Sequence, residues 1–320
     1  MLWNYPNLEA QGGFIDVASG RFTPDSQSVM VFDSAKSLYR TPSQPYLFGT
    51  GGTDASGTAL AAASYDLAKG RWLPVPRQYV SPDGSLYAYA VGTPGAAHGV
   101  HLVDVTTGAD KIVPSTTTIP NDHANYFVAG YLQDGVYLNR FGQGGPRAGL
   151  WRLNPASGSI VQVSTDAPFM GVFVGNTPLA NPPTSGNPDA WWSSVSADFS
   201  AKSDPYAYHQ YLTGIAGQHA ETWFQRPGFR IDVIGVDGGG HAVVVAESAS
   251  AIELWLLATP DASTRLYELA NNGSPDLPFR TAVRDSAGWW IGSRTGVFLA
   301  TSAAFTQISQ TAAVVVGSCS

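Results

Sequence analysis

Histidines and carboxylates define the chemistry open to this chain. His98 and His101 in "HGVH", with Asp104 just beyond, have the residue types of a metal site. On a strand, His101 and Val103 share one face while His98 stands at the entry, so the three do not converge. They read as a polar strand entry rather than a metal centre. His123 follows Asp122 in "IPNDHANY", and His209 and His219 flank a hairpin. "DGGGH" from Asp237 offers one carboxylate where a calcium loop needs several. No Lys-Ser/Thr pair follows its glycines, as a phosphate loop would require. A nucleophilic serine would need a G-x-S-x-G elbow leading into a helix, and the sequence has neither. No metal or cofactor is expected.

The residues suited to binding are aromatic and basic. Trp191, Trp192, Tyr206 and Tyr208 fall in and after a Pro/Asn/Ser-rich stretch, read as an inserted loop region over 176–208. Exposed aromatic rings there would stack on a sugar or pack on a partner. The competing reading places one Trp between sheets and the other at a blade edge, as "GWWIGS" at Trp289 and Trp290 suggests. Arg140 and Arg147 lie among glycines in "NRFGQGGPRAG", read as a second loop whose guanidinium groups could hold a carboxylate or a sugar hydroxyl. His123 completes the candidate set.

These side chains need a scaffold, and internal repetition supplies one. "VMVFDSAKSLYRTP", "ASYDLAKGRWLPVP", "VHLVDVTTGADKIVP" and "LWRLNPASGSIVQVS" share a pattern of apolar strand, small polar turn and second strand. Weaker copies begin at His209, Leu254 and Val297. The landmarks ending each first strand are Asp33, Asp66, Asp104, Asn154, Thr213, Thr259 and Thr301. Their spacing brackets the roughly 40–50 residues of a propeller blade. The Asp or Asn side chain can accept from backbone N–H groups just ahead, while Gly70, Gly108 and Gly158 supply positive φ. A second turn alternates with the first, at Asp83-Gly84, Asp134-Gly135, "GVDGGGH" and "VRDSAGWW". "GFIDVASGRFTPD" is assigned to this second class. After Asp83-Gly84, Leu86, Ala88 and Ala90 fall on one face and Tyr87 and Tyr89 on the other. No helical period is sustained.

"SPDGSLYAYA", "VHLVDVTTGADKIV" and "LWRLNPASGSIVQV" resemble the repeats of TolB-type propellers, which lie near the tryptophan-aspartate-repeat propellers. The resemblance implies an all-β fold, a β-propeller of seven four-stranded blades, with six as the alternative. It implies no function, because this architecture hosts binding scaffolds, assembly factors, lyases, lactonases and peptidase gates. The chain is expected to be a single domain over 1–320, with an N-terminal extension (1–11) and a C-terminal tail (310–320).

Composition narrows the partners. The formal net charge of -7 gives no basic field to offset phosphate repulsion, which argues against nucleic acid. Apolar runs are too short for a membrane span. The lone Cys319 supports neither a disulfide framework nor a metal cluster. No signal peptide opens the sequence, which reads like the start of a mature domain. Charged residues are only 13%, Lys is scarce, and Ser, Thr and Gly are plentiful, as suits an extracytoplasmic or cell-surface bacterial protein. The expectation is a monomeric, non-catalytic propeller that binds a protein or glycan through loops on one face. The alternative is an enzyme (lyase, lactonase or glycan-acting hydrolase) with its site at the axial channel.

Overall fold

A computed structural model describes residues 2–4, 9–28, 31–33, 38–41, 44–49, 64–91, 99–113, 125–141, 149–164, 173–175, 189–194, 211–216, 219–237, 241–271 and 279–317. The chain divides into two compact units, Met1–Thr165 and Asp166–Ser318. The described elements are strands apart from two short 3-10 turns, Ser26–Ser28 and Arg77–Tyr79. No helix among them is long and apolar enough to cross a membrane.

In the first unit, β1 (Leu2–Asn4) pairs with β2 (Glu9–Gln11), and β3 (Gly13–Ile15) with β4 (Phe22–Pro24). Strands β5 (Val31–Asp33), β6 (Leu38–Thr41) and β7 (Gln44–Gly49) form a three-stranded sheet, and β8 (Ser64–Asp66) pairs with β9 (Arg71–Leu73). Another three-stranded sheet contains β10 (Leu86–Val91), β11 (Gly99–Asp104) and β12 (Asp110–Val113). A complete four-stranded sheet follows: β13 (Asn125–Leu132), β14 (Gly135–Phe141), β15 (Gly149–Leu153) and β16 (Ile160–Ser164).

The second unit holds three more complete sheets. The first is β17 (Phe173–Gly175), β18 (Asp189–Ser194), β19 (Tyr211–Ala216) and β20 (His219–Gln225). The next is β21 (Arg230–Val236), β22 (Ala242–Glu247), β23 (Ala251–Thr259) and β24 (Ala262–Ala270). The last is β25 (Phe279–Arg284), β26 (Trp289–Ser293), β27 (Val297–Ala300) and β28 (Phe305–Ser309). Every pairing is between chain neighbours and antiparallel, which is the blade pattern of a β-propeller.

Within each unit the sheets pack face to face. Leu86, Ala88 and Ala90 join Tyr126, Val128 and Leu138 in a core between the β10–β12 and β13–β16 sheets. Tyr87 and Tyr89 point the other way, into a core with Leu73 and Val75. The predicted alternation is therefore the device that stacks one blade on the next. Strand β22 shows the same logic in the second unit. Ala242, Val244 and Ala246 pack towards Trp223 and Phe224, while Val243 and Val245 pack towards Phe279 and Ile291. A strand covered on both faces can be apolar at every position, and all six of its residues are buried.

The described residues form four complete blades, not the seven or six expected. Proline gives one physical reason. The stretch before β10 contains Pro74, Pro76 and Pro82, which cannot donate to a ladder. A 3-10 turn and a single bridge, Val80 to Tyr87, stand where a first strand would pair.

The turns confirm part of the repeat and move one landmark, Thr213. Asp66, Asp104 and Asn154 each accept backbone N–H groups two and three residues ahead, and the glycines that follow have φ of 63°, 72° and 74°. The fourth copy of this turn is Asp16–Gly20, with φ 67° at Gly20. "GFIDVASGRF" thus belongs to the first turn class, not the second. Asp33 ends β5 and pairs with Leu38 of β6 in the same three-stranded sheet. Thr213 sits inside β19, because the hairpin closes three residues later, at Ala216 and His219.

One regularity has no trace in the alternation pattern. The last strand of every complete blade among the described residues carries one extra residue at which the register shifts: Val163, Trp223, Leu266 and Ile308. First strands bulge as well, at Ala129, Ile234 and Arg280. Such bulges increase twist and disrupt an outer edge that could otherwise pair with another chain.

Candidate functional site

Arg140 is the sequence-selected site residue whose side chain is described. It lies on β14, not in a loop, opposite Tyr126 and Gly149, and is 1% exposed. The strand continues to Phe141 because the alternating run "GVYLNRF" suits a ladder between two neighbours. The guanidinium carbon lies 4.9 Å from the Trp151 ring centroid and 5.7 Å from that of Tyr126. Contacts of this kind stabilise a cation taken out of water. Arg140 thus closes the apolar face between two blades at the end where residues 142–148 leave β14. It supports that end from beneath and does not present its charge to solvent.

Trp191 and Trp192 are consecutive residues of β18, paired with Phe173, Gly214 and Thr213. The expected insertion is therefore divided by a blade strand. Residues 176–188 join the paired ends Gly175 and Asp189, whereas 195–210 join Ser194 and Tyr211 at the opposite end of the sheet. His123, Arg147, Tyr206 and Tyr208 lie outside the described residues, as does His98.

Among the described residues, His101 and His241 each have a carboxylate partner. His101 is buried on β11 and stacks on Tyr89 at 4.4 Å and 11°. Its Nδ1 is 2.8 Å from Asp110 Oδ2 across the hairpin, while Asp104 serves its own turn. Burial, reinforced by the charge of Asp110, pushes the Tyr89 hydroxyl well above the ordinary tyrosine range. His241 Nδ1, just ahead of β22, lies 2.8 Å from Asp237 Oδ2. Among the described residues no three His, Cys, Asp or Glu side chains gather as metal ligands.

The charged–aromatic cluster of the second unit was not selected from sequence. Glu253 on β23 is 2% exposed. Arg226, in the link between β20 and β21, donates from Nε to Glu253 Oε2 at 2.8 Å and from Nη2 to Oε1. The Trp255 indole N–H donates to Oε2 at 2.8 Å. The Arg226 guanidinium also lies 4.7 Å from the Phe229 ring centroid, and Arg265 pairs with Glu268 at 2.6 Å. Burial opposes ionisation of Glu253. The hydrogen bonds from Arg226 and Trp255, with the charges of Arg226 and Arg265, outweigh it and hold the carboxyl below its usual range.

A second carboxylate, Glu247, is fully buried at the end of β22. It accepts from Arg230 Nη2 at 3.0 Å and from Asn271 Nδ2 at 3.2 Å. Glu247 is paired opposite Ile252, which faces the β25–β28 blade, whereas Glu253 is opposite Ala246, which faces β20. The two carboxylates thus lie on opposite faces of one sheet and cannot flank a common substrate as acid and base. Each is an anchor neutralised by arginine.

No family model and no curated protein matches the chain. Among solved structures it is similar to an oligogalacturonate lyase from Vibrio parahaemolyticus, at 9% identity over 72% of this chain and 64% of that one, with a TM-score of 0.45. A prolyl endopeptidase is similar at 13% identity over 78% and 36% of the two chains, TM-score 0.46. TolB from Acinetobacter baumannii follows at 8% identity over 88% and 60%, TM-score 0.35. This chain matches less than two thirds of each of these structures. Likenesses this distant assign neither reaction nor partner.

Proposed function

We propose that the protein is a monomeric, extracytoplasmic propeller that binds a protein or glycan and catalyses no reaction. The observation that carries this reading is an asymmetry of the blades in the first unit. The connections 92–98, 114–124 and 142–148 all leave from one end of the β10–β12 and β13–β16 sheets. The other end is closed by tight turns at Ser81–Leu86, Asp104–Ala109, Leu132–Gly135 and Asn154–Ser159. Longer loops gathered on a rigid scaffold are the usual carriers of recognition. Arg140, Tyr126 and Trp151 brace that end, and His123 and Arg147 fall in its connections. The arginine-neutralised carboxylates favour binding over acid–base catalysis, and the bulged outer strands favour a monomer.

Hydrogen exchange of the intact chain with a captured partner tests the location. Protection concentrated in 114–124 and 142–148 is the expected outcome. Protection confined to the tight turns around Asp104 and Asn154 would rule out this face.

A further inference from the structure

We draw no further inference here: the strongest candidate, the exposed apolar side chains of Phe14, Val17 and Leu67 on the β3–β4 and β8–β9 hairpins, has nothing in the structure to show what covers it.

Discussion

Arg226, in the link between β20 and β21, grips Glu253 of β23, donating from Nε and Nη2 to its two carboxylate oxygens. The pair fastens the link between two blades to the third strand of the second. Arg226→Ala leaves a buried carboxylate without its main partner. Since the guanidinium is itself partly exposed, the expected loss is about 2 kcal/mol, below the range for a fully buried pair. Urea unfolding at pH 7 measures it.

The same pair predicts an acid limb. Glu253 has a depressed carboxyl pKa in the folded chain. Its stabilisation is complete above the unfolded value of about 4.3 and is lost as pH falls through the folded value. The stability gap between wild type and Arg226→Ala should therefore narrow below about pH 4. A gap that stays constant to pH 2 contradicts the ion-pair account.

Asp83 has a depressed carboxyl pKa of its own. The Ser81 hydroxyl, then the Ser85 N–H and hydroxyl, hold its carboxyl at about 2. The turn's contribution is present above about pH 4 and lost between there and the folded value. Carbon-detected NMR titration should give a midpoint near 2, and Asp83→Asn should remove this part of the acid limb. A midpoint near 4 would show that the serines do not hold the charge.

Backbone geometry makes two further predictions of different size. Gly158 has φ 74° with only ordinary contact space around it, so Gly158→Ala should cost about 1 kcal/mol through conformation alone. Gly235 backs onto the Ala282 carbonyl with no room for a Cβ. Gly235→Ala must push two blades apart, and its expected cost is about 3 kcal/mol. Calorimetric melts of both variants check the order. Equal losses would contradict the close approach of β21 and β25.

The parts legible in sequence were local ones. Asp104 and Gly108 are four residues apart, so their types alone specify the turn. Tyr87 and Leu86 reveal opposite faces because a strand repeats every two residues. Arg226 and Glu253 meet across two strands and a connection, and no short-range pattern pairs them. Arg140 looked like a loop residue because glycines follow it, yet the ladder runs one residue further. The bulges at Val163, Trp223, Leu266 and Ile308 add a residue without a distinctive type, so they shift the register silently. The expected blade count assumed that each turn belonged to a full four-stranded sheet, which Pro74, Pro76 and Pro82 prevent ahead of β10.

The most direct test of the binding account is a combined glycan-array and pull-down screen of the intact chain beside His123→Ala and Arg147→Ala, with melting curves confirming that all three are folded. The account predicts saturable binding by wild type, at least tenfold weaker binding by one or both variants, and unchanged melting. No binding by wild type, together with metal-dependent turnover of a lactone or a uronate, would contradict it.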